Sequence, residues 1–210
     1  MDNISRKKLL ETCQTGDVLL YNSQTIFGRI IEYVTYSKFS HVAIIVRDPI
    51  YIDPSLKGVF IVEAGEEKIP DVISKEKVCG VQLIPLEYVL DTYENGYIGN
   101  LYYRKLNCER DQTFHKNIDE LIKKKDGCPY DLCISDWLLA KFNIKIGKSQ
   151  YTNRFWCSAL VAYMYVELSL LDKDLPWSMI APRQFSYYEN NKLSFINCVL
   201  DPEKKVIYKN

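Results

Sequence analysis

Between residues 16 and 108 short apolar runs alternate with breaks marked by glycine, proline and acidic residues. GDVLLYNS (16–23) predicts a strand opened by a glycine–aspartate turn. SHVAIIVRD predicts a second strand, ended at Asp48–Pro49, and VFIVEAG (59–65) a third, closed by glycine. VCGVQLIPLEYVLDTYENG predicts a strand running into a short helix over Pro85 to Tyr93, with Leu86, Val89 and Leu90 as its apolar face. NLYYRKLNC (100–108) predicts one further strand. Helical spacing governs the remainder. Ile26, Ile30, Ile31 and Val34 predict a helix within 25–39, although Gly28 weakens it. DQTFHKNIDELIKKKDG predicts a helix capped near Asp111 or Thr113, with Gly127 just past its lysine-rich end. CPYDLCISDWLLAKFN predicts another, with Leu132, Trp137 and Leu138 inward, followed by the polar linker KIGKSQYTNR.

The strongest helical pattern is FWCSALVAYMYVELSL (155–170), in which Cys157 shares an inward stripe with Val161, Met164 and Leu168. Residues 4–11 predict a short helix or lead-in. PWSMIAPRQFSYYEN predicts an irregular stretch, and FINCVLDPEKKVIY a final strand or clasp. The economical reading is a single α+β domain over residues 1–210, with a peripheral excursion near 50–58 and a C-terminal extension after about 190.

Composition narrows the function classes. Lysine plus arginine balances aspartate plus glutamate at 27 each, and there is no basic stripe with interleaved aromatics, so no nucleic-acid partner is expected. The N-terminus, MDNISRKKLLETC, turns polar after two leucines, which predicts no secretory signal. Runs such as HVAIIV are too short to span a bilayer, but peripheral membrane contact needs no such run. The seven cysteines include no CxxC pair, and reduced thiols are the default. Cys128 and Cys133 lack a partner pair at zinc spacing, and no phosphate-cradling glycine loop occurs, so neither metal nor cofactor is expected.

With only two histidines, any imidazole chemistry has two candidates. His115 lies on a charge-rich helix and predicts a solvated ring. His41 opens an apolar strand, where the strand would fix its ring beside a cleft, although a backbone-satisfied strand-end histidine fits the same pattern. Glu63 ends another apolar strand, where an unpaired buried carboxylate would be costly and an imidazole partner would satisfy both groups. Cys157 stands in the first turn of its helix, where unpaired amides and the helix dipole favour a thiolate. An inert buried cysteine fits that position equally well.

The order of these segments, GD-VLLY, SHVAIIV, VFIVEA, GCPYD and FWCSALV, resembles the circularly permuted papain-like hydrolases of the NlpC/P60 superfamily. Its YiiX/YaeF-like group, with relatives in large DNA viruses, is the most similar branch. The resemblance covers about residues 14–185. It implies a permuted papain-like fold, an antiparallel sheet or small barrel packed against the nucleophile helix. It also implies Cys157 as nucleophile, His41 as base, Glu63 as the residue orienting it, and the Cys157 N–H as an oxyanion donor. Tyr21 is a candidate for the second donor. The expected activity is thiol-dependent hydrolysis of a peptide-like amide, with lipid acyl hydrolysis or acyl transfer close behind. A non-enzymatic structural or membrane-surface protein of the same fold is the competing class. The expected location is cytoplasmic or virion-associated, and oligomeric state stays open. The aromatics Tyr151, Phe155, Trp156, Trp177, Phe185, Tyr187 and Tyr188 fit either an acyl or peptide cleft or a core.

Overall fold

The computed structural model describes residues 2–23, 38–65, 69–96, 99–130, 155–189 and 192–208. Strand β1 (Asp2–Ser5) leads into helix α1 (Arg6–Thr12), capped by the Ser5 hydroxyl, which accepts from the Lys8 N–H. Then come β2 (Val18–Ser23), β3 (His41–Arg47), β4 (Val59–Gly65) and β5 (Gly80–Pro85), which runs directly into α2 (Leu86–Glu94). β6 (Gly99–Arg104), β7 (Leu106–Asn107) and α3 (Gln112–Lys125) follow, and later α4 (Cys157–Glu167), β8 (Val199–Leu200) and β9 (Lys204–Ile207).

Seven strands form one sheet in the order β1-β9-β6-β2-β3-β4-β5, antiparallel throughout except for the parallel pair β1 and β9. Apolar residues on both parities of β2, β3 and β4 require cover on both faces. Val18, Leu20, Val42, Ile44, Val62 and Leu83 pack with α3 and α4. Leu19, Ala43, Ile45, Ile61 and Ile84 pack with Leu9 and with Leu86, Val89 and Leu90 of α2. The result is a mixed α+β arrangement with helices on either side of the sheet. Each fully buried Ile, Leu or Val contributes about 1.5–3 kcal/mol by leaving water.

Two polar anchors hold this frame. Gly16 sits at φ 92°, a conformation that glycine adopts without strain. It turns the chain so that Asp17 is fully buried at the start of β2. The Asp17 carboxylate accepts from Gln14 N (2.8 Å), Leu106 N (2.9 Å), Tyr103 Oη (2.6 Å) and Arg110 (2.9 Å). The Tyr165 hydroxyl of α4 donates to the Gly16 carbonyl at 2.6 Å, tying the late helix to this turn. On the far side, buried Arg104 donates to the carbonyls of Asp201 (2.6 Å), Leu200 (2.7 Å) and Phe185, fastening the C-terminal extension.

The structure departs from the sequence reading in three places. The strand expected over 100–108 is two, broken at Lys105, because β7 leaves the large sheet to pair with β8. Cys128–Tyr130 does not open a helix. It bridges to Gly80 through Pro129 and to Phe155 through Tyr130, and the rest of that expected helix lies outside the described residues. The inward stripe of α4 is no stripe, since every residue from Cys157 to Tyr165 is buried, as a helix apolar on all sides must be. The helix expected within 25–39 also falls largely outside the described residues.

Candidate active site

His41 is the first residue of β3 and Cys157 the first of α4, so two element ends meet. β2 and β3 set Tyr21 directly across from His41, and β4 and β5 set Glu63 directly across from Gln82. Because side chains alternate along a strand, these polar groups emerge among apolar neighbours whose packing leaves them little freedom. The His41 ring keeps 21% of its side-chain exposure and Glu63 keeps 12%, so the pair lies at the boundary between core and solvent.

The contacts form a relay. His41 Nε2 lies 2.8 Å from Glu63 Oε2. Cys157 acts on the same imidazole from the start of α4. Burial by itself would depress the His41 pKa. The charges of Cys157 and Glu63, and the hydrogen bonds to both, outweigh it and carry the imidazole up to about 10. These neighbours favour the protonated ring.

Glu63 is itself held from two further sides. Gln82 Nε2 donates to Oε1 at 3.1 Å, and the Tyr21 hydroxyl makes a longer contact of 3.4 Å to Oε2. The Tyr21 ring stands edge-on to His41 with centroids 4.8 Å apart. Burial, then the Glu63 charge, push the Tyr21 hydroxyl well above its usual value, so it stays protonated and donates. A hydroxyl has one proton to give. In this structure Tyr21 lies at the site with its hydroxyl directed to Glu63. Gln82 was not foreseen. Its signal was available in principle, as a polar residue on the interior register of an apolar strand.

Gly65, two residues after Glu63, leaves the space in which this carboxylate sits. A Cβ there would come within 3.1 Å of Glu63 Oε1 and 3.4 Å of Gln82 Nε2. Around Cys157, the Trp156 indole and the Ser158 hydroxyl both donate to the Ile180 carbonyl, at 3.3 and 2.7 Å. The residues on either side of the thiol are thus moored to one point on the loop that follows α4. Phe155 also donates its N–H to the Pro129 carbonyl at 3.1 Å, so the Gly127–Tyr130 segment braces the approach to the helix. Asn153, Arg154 and Asp131 lie outside the described residues.

Other sequence candidates fall elsewhere. His115 lies on α3 against Phe114, with its pKa lowered mainly by burial and then by Arg110, apart from the relay. Lys125 is not simply a solvated helix end. It is buried, with its ammonium over the rings of Phe155 and Tyr163. Of the aromatics, Phe155, Trp177 and Phe185 are core, whereas Tyr187 and Tyr188 are exposed. Tyr151 and Cys133 lie outside the described residues.

No protein-family model matches the chain, and no curated protein matches it. Among solved structures, the crystal structure of metalloprotein yiiX from Escherichia coli O157:H7 is similar over 94% of this chain and 98% of that one, with 19% identity and a TM-score of 0.48. A similarity of that strength transfers neither activity nor site residues. The word metalloprotein describes that neighbour. Here, among the described residues, no group of three or more His, Cys, Asp or Glu is placed to hold a metal ion. No helix among them is long and apolar enough to cross a membrane. What the chain itself presents is an α+β frame carrying an imidazole hydrogen-bonded to a carboxylate, with a thiol acting on the same ring.

Proposed function

We propose that this chain is a cysteine hydrolase of the permuted papain-like, NlpC/P60 type, acting through Cys157, His41 and Glu63 on a peptide-like amide. The observation that carries the reading is the 2.8 Å bond of His41 to Glu63 beside Cys157, whose influence with that of Glu63 raises the imidazole to about 10. An inert core cysteine has no use for a charged imidazole at the first turn of its helix.

In this mechanism the Cys157 thiolate, paired with imidazolium, attacks the carbonyl carbon of the substrate. Negative charge moves to the carbonyl oxygen, where first-turn amides of α4, the Cys157 N–H foremost, stabilise it. The His41 imidazolium gives its proton to the leaving nitrogen, the C–N bond breaks and a thioester remains. Neutral His41 then takes a proton from water, the hydroxide attacks the thioester, and the thiolate returns with the imidazolium beside it. Glu63 holds the ring's orientation and offsets its charge throughout. An amide is favoured over an ester because an amine must be protonated to leave, and the site keeps a proton in place for that step.

The test is covalent labelling with a panel of peptide-amide and lipid-ester electrophiles, read by mass spectrometry. Selective modification of Cys157 by the peptide class, lost in His41→Ala, is the expected result. Preference for the lipid class would reassign the substrate to lipid acyl groups. Equal labelling of several cysteines, unchanged by His41→Ala, would sink the enzyme reading and leave a binding protein of the same fold.

A further inference from the structure

The C-terminal extension carries one of two further thiols that border the small sheet of β7 and β8. β7 and β8 pair antiparallel, with Leu106 across from Leu200 and Asn107 across from Val199. Continued by one residue beyond the paired strands, that register would set Cys108 opposite Cys198. The Asp201 N–H donates to the Lys105 carbonyl at 2.8 Å, which makes residues 105 and 201 a hydrogen-bonded pair. Alternation then makes 106 with 200 non-bonded and 107 with 199 bonded, and the same alternation carried one residue further would make 108 with 198 non-bonded. Non-bonded antiparallel pairs bring Cα atoms to about 4.5 Å, within the roughly 4.4–6.8 Å that a disulfide spans. Both thiols are free here, Cys108 half-buried and Cys198 buried. Cys79 and Cys128 also flank a bridge, but Gly80 pairs with Pro129, which sets Cys79 across from Tyr130 and Cys128 across from Val81.

We propose that Cys108 and Cys198 form a reversible redox site, closed to a disulfide by exchange with a small-molecule disulfide such as oxidised glutathione. The half-exposed Cys108 thiolate attacks one sulfur of the donor, forming a mixed disulfide and releasing one donor thiolate. The Cys198 thiolate then attacks Cys108 sulfur, closing the protein disulfide and releasing the second donor thiolate. The two protein thiols lose two protons and two electrons in all, and the donor disulfide is reduced to two thiols. Burial raises both thiol pKa values, that of Cys198 to about 11, while nearby Arg110 pulls them down, so exchange is slow near neutral pH and quickens as pH rises.

The bond would fasten the tail over the far end of the nucleophile helix. Ile196 donates its N–H to the Leu170 carbonyl at 2.9 Å, and Leu193 donates to the Gln184 carbonyl at 3.1 Å. The residues between the two cysteines, α4 among them, would lie inside one covalent loop. A loop of that size typically raises a melting temperature by roughly 5–15 °C.

The experiment equilibrates the full chain in glutathione buffers of graded redox poise. Non-reducing proteolysis with mass spectrometry, and thermal melting, give readouts that need no substrate and are separate from the hydrolase question. Expected are a Cys108–Cys198 linked peptide in a chain that stays monomeric on non-reducing gels, a higher melting temperature reversed by dithiothreitol, and loss of the linked peptide and of the melting shift in Cys108→Ser and in Cys198→Ser. If either variant folds poorly, alkylation rates of the two thiols in the wild-type chain, protected together on oxidation, decide the same point. A persistent glutathione adduct on Cys108 that Cys198 does not resolve would overturn the proposal. So would a crosslink between other cysteines, or one formed only after unfolding.

Discussion

Charge placement around one imidazole governs the site's pH behaviour. His41 is raised to about 10 against the opposition of burial, so its neighbours supply the shift. A raised base contributes stability that is full below its ordinary value near 6.5 and lost as pH rises through about 10. In the proposed mechanism the same proton serves the leaving group, so kcat/KM for an amide should fall on the alkaline side toward pH 10. Glu63→Gln keeps the shape but removes one of the two charges. Its alkaline limb should move to lower pH and its rate should drop roughly 10–1,000-fold, whereas Cys157→Ala should abolish turnover. A pH–rate profile that Glu63→Gln leaves in place would show that Glu63 does not tune the ring. Tyr21→Phe removes a long 3.4 Å contact and should cost less than Glu63→Gln in the same assay.

Element ends do the positioning. α4 begins at Cys157, with Trp156 and Ser158 both held by the Ile180 carbonyl. Ser158→Ala deletes a buried hydrogen bond and should lower stability by about 0.5–1.5 kcal/mol. Measured in a urea melt alongside kcat, the variant should lose rate at temperatures where it is still fully folded, because the thiol is less well aimed. Gly65→Ala should behave similarly for a different reason, since its methyl would crowd Glu63 Oε1 at 3.1 Å. An alanine variant with unaltered labelling of Cys157 would mean that the carboxylate can shift without consequence. Asp17 is the strongest tie between elements, holding the β2 turn to Arg110 and Tyr103. Removing it as Asp17→Ala leaves the Gln14 and Leu106 N–H groups and the Tyr103 hydroxyl without their buried acceptor and should cost about 3–5 kcal/mol, with unfolding at ordinary temperatures as the readout.

Taken as a whole, the molecule carries several groups whose protonation favours the folded state. Asp119, raised by burial to about 6, and Asp126, raised by burial and then by the Asp71 charge to about 6, both start from 3.8. For an acid raised on folding, the folded chain holds the proton more tightly, so stability grows as pH falls from above 6 toward 4. His41 acts in the same direction between 10 and 6.5. The melting temperature should therefore climb as pH falls from 9 to about 5, and a curve flat across that range would contradict these assignments. Asp126→Asn should flatten part of the climb below pH 7 and leave the part above it.

Strand after strand, the apolar runs determined where β2 to β5 would lie, because a strand covered on both faces must be apolar on both parities. Cys157, His41 and Glu63 were legible for a related reason, as reactive or charged residues set at the ends of apolar elements where burial makes a lone polar group costly. Local pattern cannot carry pairing between distant segments. The break at Lys105, Gln82 behind Glu63 and Tyr21 turned toward a carboxylate all depend on which strand lies beside which. The same holds for Cys108 and Cys198, which follow and precede the paired strands β7 and β8. Sequence determined which groups could react; the register and the packing of α4 decided which of them touch.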